Sequence, residues 1–251
     1  MRDLAMIPFL VNLGVCTPIA FFLTVWGLQL SARTIGRSIA FGDATRITAL
    51  GTIAELLPVP GGIMARSAAL AQAGASPLDV IHVLSMNALL WFGLLALMAG
   101  AAMGLAGRLA PALIFSAIGL PAVIGSLATF MRRATPKLLS VVLVQRLASL
   151  AINVARMLAG FAILRSILAP QEAMLLAAAN SLGSFSSVLP SGIGVGEALA
   201  SLAALTIAVP AAMAFAVAAL NRILFLIVAG ACALPAMVAA LSRTPPKDRY
   251  Q

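Results

Sequence analysis

Five long apolar runs, at 7–30, 78–104, 109–131, 138–164 and 211–241, alternate with short stretches that hold most of the charge. As helices rising about 1.5 Å per residue, each can cross roughly 30 Å of hydrocarbon. Two further regions are apolar but interrupted. Segments 44–57 and 62–73 flank Pro58-Val59-Pro60-Gly61, and segments 173–189 and 195–209 flank Pro190-Ser191-Gly192. Proline removes a backbone donor and glycine loosens the chain, so each interruption leaves peptide groups unpaired. Lipid tolerates such groups only where they are buried in protein or face a water-filled cavity. The pattern therefore predicts two re-entrant helical hairpins in place of four short spans.

The two interruptions echo each other. Pro58 to Pro190 and Gly62 to Gly194 are both shifts of 132, and the same shift pairs Gly51 with Gly183 and Leu57 with Leu189. Asn87 and Asn221 follow the two breaks at a shift of 134. A repeated spacing of this kind marks an internal duplication. The predicted fold is an all-α integral membrane protein, an inverted repeat of span, re-entrant hairpin and span. It has five full spans plus two broken-helix hairpins, in a single transmembrane domain over 1–251. Repeat one covers 7–104, a linker helix 109–131, and repeat two 138–241.

Composition agrees. Of 251 residues 62% are hydrophobic and 9% charged, against about 25% charged in soluble domains. The first run is too long for a signal-peptide core and no cleavage site follows it, so it reads as a span. The net charge of +9 lies in the flanks of apolar runs, where it reports orientation and anionic lipid and not nucleic acid. With the N-terminus outside and each hairpin returning to its own side, Arg33, Arg37, Arg46, Arg132, Arg133, Lys137, Arg243, Lys247 and Arg249 fall inside, and Arg2, Arg108 and Arg165 outside. That is the positive-inside bias. Cys16 and Cys232 lack metal-ligand spacing, and neither a metal site nor a cofactor is expected.

The chemistry must come from ionisable groups left inside the apolar segments: Arg66, Arg146, Arg156, Arg222, Glu55 and Glu197. Burying charge in a bilayer is costly, so such groups are functional candidates. Helices beginning at Gly61-Gly62 and Gly192 point free N–H groups, and a positive dipole end, toward the centre. Arg66 adds a fork that matches phosphate. The alternative for Arg66 and Glu197 is a mutual ion pair across the repeat axis. On 138–164, Arg146, Ser149, Asn153, Arg156 and Gly160 share about 80° of helical arc; this stripe reads as one wall of a head-group path, or as helix–helix glue. Arg222 reads as a second phosphate contact and Asn87 as a capping or packing residue. Asp79, after Ser76-Pro77, reads as part of a helix N-terminus, and the lone His82 as packing. Gly192-x-Gly194-x-Gly196 lacks the strand context of a dinucleotide loop.

Leu189-Pro190-Ser191-Gly192-Ile193-Gly194-Val195-Gly196-Glu197-Ala198, Ala218-Ala219-Leu220-Asn221-Arg222-Ile223-Leu224 and Leu57-Pro58 through Gly62-x-x-x-Arg66 resemble motifs of the lysylphosphatidylglycerol synthase transmembrane-region family, a flippase-like membrane domain. The chain differs where Ile63 follows Gly62 in place of an acidic residue and where Ser85-Met86-Asn87 stands in place of a Glu-Arg element. The resemblance implies lipid translocation without synthase activity, with Arg66, Glu197 and Arg222 at the matched positions.

The expected function is translocation of a lipid with an anionic phosphate head group, a phospholipid or a polyprenyl phosphate, in the bacterial cytoplasmic (inner) membrane. The expected contacts are Gly61, Gly62, Arg66, Arg146, Asn153, Arg156, Ser191, Gly192, Gly194, Glu197 and Arg222, with no catalytic residue. Two rivals stay open: a membrane-embedded enzyme acting on a lipid or polyprenyl phosphate, and a non-transporting partner subunit. A homo-oligomer or a partner protein is compatible with each.

Overall fold

A computed structural model describes residues 5–55, 61–183 and 194–241. Every regular element among them is helical. The first rod joins α1 (Met6–Val11), a π-helical turn (Asn12–Cys16) and α2 (Thr17–Thr34) without a break. Then follow α3 (Phe41–Ala54), α4 (Gly61–Gln72), α5 (Pro77–Leu105), α6 (Leu109–Met131), α7 (Pro136–Ile163), α8 (Pro170–Leu182), α9 (Val195–Leu205) and α10 (Ala211–Leu241). Five of these rods are long and apolar enough to cross a bilayer, which makes this a multi-pass helical membrane protein. They are the five predicted from the apolar runs. The tips around Pro58-Val59-Pro60 and Pro190-Ser191-Gly192 lie outside the described residues.

Local chemistry sets the helix ends. Ser76 caps α5, its hydroxyl accepting from the Asp79 amide at 3.2 Å, and Thr135 caps α7 the same way toward Leu138 at 3.3 Å. Proline follows both caps, at the one turn where its missing donor costs nothing. The Glu172 carboxylate accepts from the Ala169 amide at 2.9 Å and closes the start of α8. Gly74 and Gly107, at φ +85° and +73°, end α4 and α5 in the left-handed region that side chains disfavour.

Packing is closest between α5 and α6. A Cβ on Gly119 would lie 2.8 Å from the Gly93 carbonyl oxygen and 2.9 Å from the Leu97 nitrogen, so the backbones touch only because both positions are glycine. The outer face of α6, with Leu113, Ile114, Ile118 and Ile124, is exposed as a lipid-facing surface would be. At the centre α2 packs on α7, α5 packs on α8, and α10 packs on α3 and α9. The largest core cluster joins α5, α7, α8, α9 and α10 around Leu90, Leu95, Phe161 and Leu176.

The helix ends sort by side. Arg133 bonds Asp79 at 2.8 Å, and Arg37 lies over Gly74, so the ends of α2, α4 and α6 gather at the N-terminal end of α5. A groove lined by Ser38, Asp43, Arg46, Gln72 and Ala73 opens there, between the free ends of α3 and α4. At the other end of α5, Ala102, Met103 and Arg108 line a groove with Gln171, Glu172 and Ile207, between the free ends of α8 and α9. The two short helix pairs therefore open toward opposite ends of the bundle.

Gly119→Ala should lower stability by about 1–3 kcal/mol, since the new methyl meets backbone and the helices must separate. Gly125→Ala, on the same helix with open space around it, should be neutral or mildly stabilising. Thermal unfolding of the two variants in detergent checks the difference.

Candidate functional site

α7 carries the polar stripe, and the stripe faces protein. The Arg146 guanidinium donates to Asn87 Oδ1 at 2.6 Å and lies 5.6 Å from the centre of the Trp91 ring. Ten residues on, Arg156 donates to the Asn221 carbonyl and lies 5.5 Å from the centre of the Phe225 ring. Both Nε atoms are buried without a hydrogen-bond partner among the described residues. Each arginine rests on an Asn-x-x-x-aromatic platform, Asn87–Trp91 on α5 and Asn221–Phe225 on α10, and 221 − 87 and 225 − 91 both equal 134. A delocalised guanidinium suits an aromatic face better than an ammonium would.

The neighbours hold those platforms. Asn221 Nδ2 donates to the Arg156 carbonyl at 3.2 Å, and Asn221 Oδ1 accepts from Asn12 Nδ2 at 2.9 Å. Asn12 opens the π-helical turn of the first rod and is fully buried. Asn87 Nδ2 donates to the Val83 carbonyl at 2.8 Å, which orients its oxygen toward Arg146. Gln145 donates from α7 to the Leu23 carbonyl at 2.8 Å. Asn153 reaches Ser181 on α8 at 3.4 Å, and Gly160 lets Val217 and Asn221 of α10 approach. Asn87 is thus a direct arginine partner, where a capping or packing role was expected.

The second group of charges lies where the short helices meet α10. Gly61 and Gly62 are the first two residues of α4 and are buried. The Glu55 carboxylate, at the end of α3, lies against Gly62 where any side chain would collide with it. Arg66 follows one turn into α4, half-buried. Its charge acts on Glu55 on one side and on Arg146 on the other. Among the described residues no hydrogen bond or ion pair engages its guanidinium. Arg222 also acts on Glu55, and its Nη1 pairs with Glu197 Oε1 at 3.3 Å. Glu197 is buried in the first turn of α9, a position the helix dipole favours. Gly194 caps that helix at φ +93°. The alternative of an ion pair between Glu197 and Arg66 is not formed; Arg222 takes the carboxylate.

One chain of charges therefore runs Arg146, Arg66, Glu55, Arg222, Glu197, across α7, α4, α3, α10 and α9. It holds three guanidiniums and two carboxylates, a surplus of 3 − 2 = 1 positive charge. The structure brings together Gly61, Gly62, Arg66, Arg146, Glu197 and Arg222 from the sequence-derived set, and seats Arg156, Asn153 and Gly194 on neighbouring elements. Ser191 and Gly192 lie outside the described residues. Asn12, Gln145, Trp91 and Phe225 were missed. The first two are lone amides in apolar runs, a signal that was available; the aromatic pair shows its role only through the arginines that pack on it. His82 and Asp79 sit away from this cluster at the exposed start of α5, both beside Arg133.

Glu197→Ala leaves Arg222 without its partner in a partly dry site and should cost about 3–5 kcal/mol, with the Glu197→Ala/Arg222→Ala double variant recovering part of that loss. Arg66→Ala removes no partnered group and should change stability by less than about 1 kcal/mol. Unfolding transitions of the three variants in detergent measure both expectations. No protein family, curated protein or solved structure matches this chain.

Proposed function

We propose that this protein carries a lipid with an anionic phosphate head group between the leaflets of a bilayer, in a bacterial cytoplasmic membrane. The observation that carries the reading is the surplus guanidinium charge in an apolar helical bundle, with Arg66 unpartnered among the described residues beside the start of α4. An ion of that kind in a membrane calls for a counter-ion. Arg66 and the α4 N-terminus offer a phosphate two kinds of donor at once, a planar fork and free amides. The lipid's acyl or prenyl chains would stay in the bilayer along the apolar helix faces.

An inverted repeat supports transport. The α2–α3 contact is matched by α7–α8, the α3–α4 contact by α8–α9, and the α5–α8 contact by α10–α3. The last match exchanges the halves, as a pseudo-twofold relation requires. Side chains follow the same rule: Arg146 on Asn87 corresponds to Asn12 with Asn221, since 146 − 12 and 221 − 87 both equal 134. Gly51 packs on Gly62 in one short pair, and Gly183 on Gly196 in the other. Short pairs that open toward opposite ends fit re-entrant hairpins meeting near the midplane. The halves also differ in a way one state of a rocking transporter would show: α10 packs closely on α9 and α7, while α5 meets α4 and α2 only at their edges.

The enzyme reading finds less support, because His82 lies with Arg133 and far along α5 from Glu55 and Glu197. In proteoliposomes, the protein should speed the exchange of fluorescent phosphatidylglycerol between leaflets over that of phosphatidylcholine. Arg66→Ala should slow it by about ten- to a hundredfold, the worth of one charge-assisted hydrogen bond of roughly 1.5–3 kcal/mol. Wild-type rates in that variant, or no preference between the two lipids, would overturn the assignment.

A further inference from the structure

The Glu55 carboxylate lies beside the start of α4, in the space that a side chain on Gly62 would fill. It lies against Gly62, the second residue of a twelve-residue helix whose first amides have no helical partner. Gly62 is the one residue type that leaves room for it. The charged groups facing Glu55 are Arg66 from α4 and Arg222 from α10. From α2, Arg33 lies at the far end, beside the start of α3, and Asp43 and Arg46 occupy that same opposite end of α3. Arg222 is already paired with Glu197. Beyond Arg66 stands Arg146, with its buried Nε unpartnered. The Arg66 charge therefore acts both on a carboxylate and on a second arginine whose Nε has no partner among the described residues.

We infer that Glu55 is a built-in competitor of the phosphate: the head group takes the place beside Gly62 and the attraction of the Arg66 charge that Glu55 now has, and Glu55 takes up a proton as it leaves. The inference rests on the reading of the site as a phosphate-binding one. The proton follows from what remains for the carboxylate. A displaced, ionised Glu55 would have to share Arg222 with Glu197, and two carboxylates on one guanidinium in a poorly solvated site do not both stay charged. No bond other than O–H is made; the proton comes from water and returns to it when the lipid leaves and Glu55 reseats. Head-group binding and proton binding are then one linked event, which couples lipid movement to a proton gradient.

Trp91, beside Arg146, supplies the readout, and Trp26→Phe leaves it the sole tryptophan. The probes are dihexanoyl-phosphatidylglycerol and dimethyl phosphate, both monoanions over the range studied. Titrated from pH 5 to 9, the lipid should quench or shift Trp91 emission with an affinity that falls by up to about tenfold per pH unit over part of the range, the limit for one linked proton. Glu55→Gln should bind more tightly and lose the slope; Glu197→Gln, which frees Arg222 for an ionised Glu55, should flatten it; and Glu172→Gln, at the start of α8 away from this cluster, should keep it. Binding of dimethyl phosphate with the same slope would assign the site to the phosphate itself; response to the lipid alone would add the chains to its recognition. An unchanged slope in Glu55→Gln, or a flat wild type, would overturn the inference and leave the phosphate site standing. No response to either probe at any pH would remove the phosphate site and the inference with it. Should Glu55→Gln fail to fold, proton uptake by the wild type on adding the lipid in weak buffer decides: a fraction of a proton or more per lipid supports the exchange, and none at every pH in the window refutes it.

Discussion

An arginine in an apolar bundle must find its hydrogen bonds in the protein, because no solvent is there to supply them. Much of this fold is an answer to that demand on α7. Asn87 and Trp91 receive Arg146; Asn221 and Phe225 receive Arg156. Asn221 is fixed in turn by Asn12, which sits in the π-helical turn of the first rod. A π turn carries an extra residue per hydrogen-bonded ring and is frequent where a side chain has a task. Four rods, the first, α5, α7 and α10, are thus tied to one another through amides and guanidiniums, with apolar packing around them. The two unpartnered Nε atoms show that the demand is not fully met from within. Each such atom costs about 1–3 kcal/mol if nothing else satisfies it, a penalty a ligand can relieve.

Close helix approach is the second constraint, and small residues meet it. Lipid is as apolar as leucine, so helices in a membrane gain little from hiding aliphatic surface from it and gain more from dispersion at short range. Gly93 and Gly119 let α5 and α6 touch backbone to backbone. Gly51 with Gly62 and Gly183 with Gly196 do the same in the two short pairs. The last two crossings have a chemical consequence. Where Gly62 removes a side chain, Glu55 enters; where Gly196 does, the crossing is filled by Asn180. The two crossings are therefore filled differently, one by an ionisable group and one by an amide.

The same contrast runs through the site. At a spacing of 134 residues Arg146 stands opposite Asn12 and Trp91 opposite Phe225, a cation against an amide and an indole against a phenyl ring. Positive charge collects on the side of α4 and α7, while the α9 side closes its own account through Glu197 and Arg222. A symmetric pair of sites would hold a head group equally in both halves. This arrangement leaves one surplus cation, Arg66, without a partner among the described residues.

Hydropathy and spacing alone determined the all-helical membrane class, the five long rods and the short paired helices, because each depends on residues close in sequence and on the thickness of hydrocarbon they must match. The run 109–131 is α6 residue for residue, and the other spans agree to within a few positions. The list of buried ions was legible for a similar reason: a charge in an apolar run is conspicuous whatever it touches. Its partners were not. Glu197 chooses Arg222 over Arg66, and Asn87 serves Arg146, because side chains from helices far apart in the chain arrive at one depth with a given rotation, and no local pattern encodes rotation about a helix axis. The seat of Glu55 against Gly62 was equally hidden, since it depends on how tightly α3 and α4 cross. Sequence named the charges; tertiary packing decided which of them stayed without a partner.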